Sequence, residues 1–208
     1  MRAVAEVFGR VRRDRRFGRI LGHEQLITEA KLELTKHVYS YFDVNADEQI
    51  LIEDTVTTLQ KSATPHRRSR VPTLAAPRES DRQRYANTLI DTLHAWAGDV
   101  DANLGARCVL SEKAGVAVLT IAKARGPTKY SETTASADLD RVLSRLRTLS
   151  PERYGSLVYL RNLAVMETDR MHIVKPLSMR FWLRSAALND ADAAAAHLLS
   201  RKPGMATA

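Results

Sequence analysis

A single cysteine in 208 residues, Cys108, excludes an intrachain disulfide and supplies no second thiol for a zinc site. It lies in a strand-like apolar run, so a buried structural thiol is expected. Long apolar runs are missing as well. None approaches the roughly 18 residues needed to span a bilayer, and the first residues hold no apolar signal core, so a cytoplasmic chain is expected. The histidines at positions 23, 37, 66, 94, 172 and 197 are dispersed, without HExxH, HxxxH or Cys/His spacing, and no metal site is expected. No GxSxG elbow, GxxxxGK[ST] loop or GxGxxG turn occurs, so hydrolase, NTPase and dinucleotide readings lack their oxyanion or phosphate cradle. Gly126-Pro127-Thr128-Lys129 has a proline where backbone donors would be needed and reads as a loop. No catalytic residue and no cofactor are expected.

What is present is a globular composition with a basic balance. Hydrophobic residues at 44% and charged residues at 27% support a packed core rather than wholesale disorder. The formal charge of +8 attracts polyanions irrespective of their sequence. That charge is concentrated in two places. Arg2, Arg10, Arg12, Arg13, Arg15, Arg16 and Arg19 crowd the first stretch, and His66, Arg67, Arg68 and Arg70 lie between Pro65 and Pro72. The planar guanidinium fork gives two hydrogen bonds to one phosphate, which suits nucleic-acid contact. A solvated arm and loop would read the same way.

Apolar positions Ile27, Ala30, Leu34, Val38 and Tyr41 recur at helical spacing and predict a helix over 23–41. Asn45 is placed to cap a second helix carrying Ile52, Val56 and Leu59, making a helical hairpin over 23–60. Prolines at 65, 72 and 77 predict an exposed basic connector over 61–78. A third helix is expected over 79–97, ended by Gly98. Two apolar runs, 107–111 and 116–123, flank Glu112-Lys113-Ala114-Gly115 as a hairpin. Leu139, Val142, Leu143, Leu146 and Leu149 mark a helix, a second hairpin pairs roughly 157–166 with 171–174, and a last helix opens at Pro176 and Ser178. The expected fold is therefore α+β. N-terminal helices precede a mainly antiparallel four-stranded sheet, in hairpin-helix-hairpin-helix order, with helices packed on one face. The organisation is a basic arm over 1–22, the hairpin, the connector, an α+β domain over 79–200 and a flexible tail over 201–208.

Three side-chain groupings merit chemistry. Arg180 and Arg184 are four apart on the expected last helix, beside Phe181, and would present two guanidinium groups to phosphate or else pair with Asp190 or a neighbouring carboxylate. The pairs Glu53-Asp54 and Asp190/Asp192 read as exposed helix faces or local caps. A metal-dependent nuclease would need Glu112, Lys113, Asp101 and Lys123 to converge, but no carboxylate stands two residues before Lys123. His172 reads as a satisfied sheet residue.

The segment VKPLSMRFWLRSAALNDAD (174–192), with DEQILIEDTV (47–56), resembles the C-terminal region of bacterial N6-adenine DNA methyltransferases of restriction-modification and phage-defence loci. The resemblance runs from about Leu32 to Leu199 and rests on segment order, Trp182, the arginines and Asn189-Asp190-Ala191-Asp192. The chain lacks the Asn/Asp-Pro-Pro-aromatic tetrapeptide that grips a flipped adenine and the glycine-rich motif for S-adenosylmethionine. The resemblance therefore implies a non-catalytic, DNA-associated accessory or target-recognition module beside a separately encoded methyltransferase. Arg12, Arg13, Arg15, Arg16, Arg67, Arg68, Arg70, Arg180 and Arg184 are the expected phosphate contacts. The alternatives are a protein-docking module for a methyltransferase or helicase, and a divergent nuclease.

Overall fold

The computed structural model describes residues 6, 9, 23–64, 70–97, 103–112, 115–124, 126, 130–134, 139, 163–167 and 169–200. The tail over 201–208 and, apart from Glu6 and Gly9, the arm over 1–22 lie outside the described residues. The chain divides into two compact units, Met1–Ile52 and Glu53–Ala208.

In the first unit, helix α1 (His23–Tyr41) follows its apolar spacing. It gives way to a turn in which Asp43 adopts φ 53°, a left-handed conformation that aspartate tolerates better than most side chains. Helix α2 (Ala46–Asp54) opens with the expected cap. The Glu48 N–H donates to Asn45 Oδ1 and the Asn45 N–H donates to Glu48 Oε2, both at 2.9 Å, so two orphan donors are satisfied reciprocally. The expected apolar stripe forms but is not buried. Ile27, Ala30 and Leu34 are half-buried, Val38 and Tyr41 are exposed, and Ile50 is the only buried side chain among the described residues of this unit.

In the second unit, Thr55–Leu59 widens into a π-helical stretch before helix α3 (Gln60–Ala63). Thr57 Oγ1 donates to the Glu53 carbonyl at 2.6 Å and Ser62 Oγ to the Thr58 carbonyl at 2.7 Å, so hydroxyls compete for the helix's own acceptors. Helix thus persists past Lys61, where the connector was expected to begin. Its far end is also structured, as a 3-10 turn over Pro72–Leu74 with proline where no N–H is required. Helix α4 (Glu79–Ala97) follows, and the Asp81 carboxylate accepts the Arg78 N–H at 3.0 Å at its start. Gly98 lies outside the described residues.

The sheet has five strands among the described residues, not four: β1 (Leu104–Ser111), β2 (Val116–Lys123), β3 (Tyr130–Thr133), β4 (Leu163–Met166) and β5 (Arg170–Pro176). Their order is β3-β1-β2-β5-β4. The first expected hairpin is present, turning through Gly115 at φ 65°; of the second, Leu163–Met166 pairs antiparallel with Met171–Val174, residues 157–162 lying outside the described residues, and β2 pairs antiparallel with β5. The sheet is nevertheless mixed, because β3 joins β1 in parallel with Cys108 opposite Glu132. A four-residue edge strand carrying Ser131, Glu132 and Thr133 offers no apolar alternation to read.

One face of the sheet is covered by Tyr85, Ala86, Leu89 and Ile90 of α4 and by Trp182, Ala187, Ala191 and Ala194, packed on Cys108, Leu119, Ile121 and Ile173. The other face also has a core, in which Leu139, a helical residue, packs with Val109 and Val118. Val142, Leu143, Leu146 and Leu149, expected on one helix with Leu139, lie outside the described residues. A strand buried on both sides is what the uninterrupted apolar run Ala117–Leu119 requires.

The last helix, α5 (Arg184–Ser200), starts later than expected. Met179–Phe181 is a separate 3-10 turn, and Trp182 lies between the two elements with its indole buried and Nε1 donating to the Pro176 carbonyl at 2.8 Å. Burying that large ring with its N–H satisfied takes the chain out of helical register. Arg180 and Arg184 are consequently not neighbours on one α-helical face.

Candidate nucleic-acid interface

Of the nine arginines expected to meet phosphate, Arg70, Arg180 and Arg184 are described; Arg12, Arg13, Arg15, Arg16, Arg67 and Arg68 lie outside the described residues. Arg70 is exposed, two residues before the 3-10 turn at Pro72. That turn is fastened to the one carrying Arg180. Ser178 Oγ donates to the Thr73 carbonyl at 2.8 Å, and the Met179 N–H donates to the Ala75 carbonyl at 2.8 Å. Ser62 Oγ accepts the Thr73 N–H at 3.1 Å from the other side. Segments 105 residues apart thereby lie side by side, and each brings an exposed arginine.

The Arg180 guanidinium lies over the Phe181 ring, 4.6 Å from its centroid. Stacking occupies the flat face of the group and leaves its N–H edge for an anion. Arg184 stands in a different setting, since its Nη1 meets Glu53 Oε2 at 3.1 Å on a largely exposed pair. The neighbouring Asp54 accepts the Ser185 N–H at 2.7 Å. Arg184 thus realises the ion-pair alternative, with Glu53 rather than Asp190 as partner. Such a surface pair is worth under about 1 kcal/mol, so phosphate can replace the carboxylate at little cost.

Arg78 is a further exposed guanidinium near this edge that the sequence reading passed over. It shares the Asp81 carboxylate with Arg84, both being three residues away. Burial raises the Asp81 pKa, but hydrogen bonds from the Arg78 backbone and from both guanidinium groups outweigh it and hold the carboxyl below its usual range. The proline before Arg78 was the available signal, because it places that residue at a helix start.

The turn bearing Arg180 is also held from within. Lys175 is 1% exposed, and its ammonium donates to the Phe181 carbonyl at 2.9 Å and to Asp190 Oδ2. It lies 4.3 Å from the centroid of the Tyr85 ring, whose hydroxyl donates to the same Asp190 oxygen at 2.5 Å. Burial pulls the Lys175 pKa down, partly offset by Asp190, and burial with the Asp190 charge pushes Tyr85 well above its ordinary value. Asp190 is therefore a half-buried ion-pair partner of Lys175, not the exposed or capping carboxylate expected. Asp192 accepts a bond from Trp96 Nε1 at 3.1 Å.

Other polar groupings serve the sheet. His172 Nδ1 is 2.9 Å from Thr120 Oγ1 on the paired strand, and Nε2 is 3.3 Å from Glu167 Oε1. Hydroxyl, imidazole and carboxylate in line can activate a nucleophile, but here the imidazole and carboxylate are almost wholly enclosed. Arg82 forms a bidentate pair with Glu132 at 2.8 and 2.6 Å, and Tyr130 donates to the same carboxylate at 2.5 Å. Burial pushes the Cys108 thiol up to about 12, in keeping with a structural thiol.

The residues weighed for a nuclease do not converge. Glu112 sits at the turn end of β1–β2, whereas Lys123 pairs with Leu104 at the opposite end, about 24 Å away at the usual strand rise. Lys113 and Asp101 lie outside the described residues. Among the described residues, no group of three His, Cys, Asp or Glu is arranged to hold a metal, and no helix is long and apolar enough to cross a membrane. No protein-family model, curated protein or solved structure matches the chain.

Proposed function

We propose that the chain is a non-catalytic, DNA-associated module that grips the phosphate backbone through arginines, with Arg70 and Arg180 at its centre. The observation that carries this reading is the fastening of the connector's end to the Arg180 turn through Thr73 and Ala75. Two hydrogen bonds, one from the Ser178 hydroxyl and one from the Met179 N–H, hold separate basic segments in a fixed relation, so less conformational entropy is lost when both meet one phosphate track. The positive charge of the whole chain, +8, favours the same class of partner.

Arginines set in this way position a duplex without reading its bases. Sequence choice and chemistry then belong to a separate enzyme, which on the resemblance of residues 174–192 is an adenine methyltransferase of a defence system. The test is equilibrium binding to duplex DNA at low and moderate salt, with Arg67→Ala/Arg68→Ala/Arg70→Ala for comparison. The triple variant is expected to bind more weakly with a shallower salt dependence; absence of wild-type binding at both salt concentrations would refute the reading.

A further inference from the structure

The tip of the Pro72–Leu74 turn is apolar within a basic surface. Leu74 is 62% exposed, Ala75 and Ala76 are exposed beside it, and no charged residue falls between Val71 and Pro77. Arg70 and Arg78, both exposed, stand four residues to either side of Leu74. Exposed Arg180 sits on the turn bonded to this one. The Asp81 carboxylate is already shared by Arg78 and Arg84, and the unit as a whole, Glu53–Ala208, holds 23 lysines and arginines against 16 aspartates and glutamates.

A surface leucine alone needs no explanation, but the backbone under this one is fixed. Pro72 sets its own φ, and the Leu74 and Ala75 N–H groups donate to the Val71 and Pro72 carbonyls at 3.0 and 3.2 Å. The Thr73 N–H donates to Ser62 Oγ at 3.1 Å, while the Thr73 and Ala75 carbonyls accept from Ser178 Oγ and the Met179 N–H, each at 2.8 Å. Leu74 thus stands between two residues pinned to other elements. An apolar side chain presented to water on a fixed backbone forgoes burial in the free protein and is preorganised for burial in a partner.

We infer that the Pro72–Leu74 turn enters the minor groove of a duplex, where Leu74 wedges between two base pairs and bends the DNA. The inference rests on the phosphate reading above and names the form of DNA that reading takes. Apolar wedges carried among basic residues unstack a base step and kink the duplex by about 20–90°, and Arg70, Arg78 and Arg180 supply the cations around the opened step. Two other polyanions fit the tip less well. Single strands are held by stacking on aromatic faces, and the Arg180 guanidinium already lies over the Phe181 ring. An anionic bilayer is held through a broad apolar face, which one leucine and two alanines do not make. Leucine forms no hydrogen bond to a base, so the selectivity it adds is for deformable pyrimidine–purine steps.

The experiment uses the full chain and a duplex of about 30 base pairs, with donor and acceptor dyes at its ends and 2-aminopurine beside a central TA step. On binding, followed in parallel by anisotropy, energy transfer should rise with the bend and 2-aminopurine emission should rise as the step unstacks. Leu74→Ser should abolish both signals and weaken binding by about tenfold, yet keep the slope of log K against log salt, because no phosphate contact is lost. Leu74→Met keeps an apolar wedge and should retain both signals, and circular dichroism should be the same for all three proteins. Wild-type binding without a bend, or a Leu74→Ser protein that bends the duplex as wild type does, would overturn the wedge and leave the phosphate grip standing. Absence of duplex binding would overturn both. Leu74-dependent binding to phosphatidylserine vesicles, with an unbent duplex, would also overturn it and put the tip in a lipid surface.

Discussion

The Asp54 carboxylate accepts the backbone N–H of Ser185 at 2.7 Å, so α5 is capped by a residue 131 positions earlier in the chain. No acidic residue stands in the first turn of α5 itself. The borrowed carboxylate satisfies an orphan donor and faces the positive end of the helix dipole. Asp54→Ala is expected to cost about 1 kcal/mol in urea unfolding, and Asp54→Asn, which still accepts the bond, distinctly less. Equal losses would show that the cap is not what the carboxylate contributes.

Lys175 and Asp190 form a buried pair whose members need each other. Asp190→Ala leaves an enclosed ammonium without its counter-charge and is expected to destabilise by about 3–5 kcal/mol. Lys175→Met/Asp190→Leu removes both charges and should recover most of that loss. A double variant no more stable than Asp190→Ala would show that the ion pair itself, rather than charge compensation, supports the fold.

Acid should loosen the second unit through Glu132. Burial raises its pKa, but hydrogen bonds from Arg82 and Tyr130 and the Arg82 charge outweigh burial and hold it below the ordinary value. Because the folded-state pKa is the lower one, the stabilisation is complete above the unfolded value of about 4 and is lost as pH falls through the folded one. Asp81 acts in the same direction. Urea unfolding at pH 7 and pH 3 should show a smaller difference for Glu132→Gln than for wild type; an identical difference would exclude Glu132 as a source of acid sensitivity.

Much of the fold was legible because it rests on local pattern. The helix over 23–41, the Asn45 cap, the Gly115 hairpin and the Cys108 burial each follow from spacing or from one residue's conformational preference. What escaped depends on pairing across the chain. Strand β3 is held to β1 by backbone bonds and by Glu132 meeting Arg82, neither of which leaves an apolar period in Tyr130–Thr133. The break between Arg180 and α5 is caused by Trp182 seeking the Pro176 carbonyl, and the helical spacing of 176–188 conceals it. Among the candidate phosphate contacts, Arg70 and Arg180 were legible singly as basic residues. That the segments carrying them lie side by side was not, because it rests on Ser178 and Met179 bonding to Thr73 and Ala75.

The most direct measurement of the central claim is the salt dependence of duplex-DNA affinity for wild type, Arg70→Ala, Arg180→Ala and the double variant, by fluorescence anisotropy. A joint phosphate grip predicts that each single variant reduces the slope of log K against log salt by about 1, and the double variant by about 2. Wild-type protein that does not bind the duplex, or variants that keep the full slope, would contradict it.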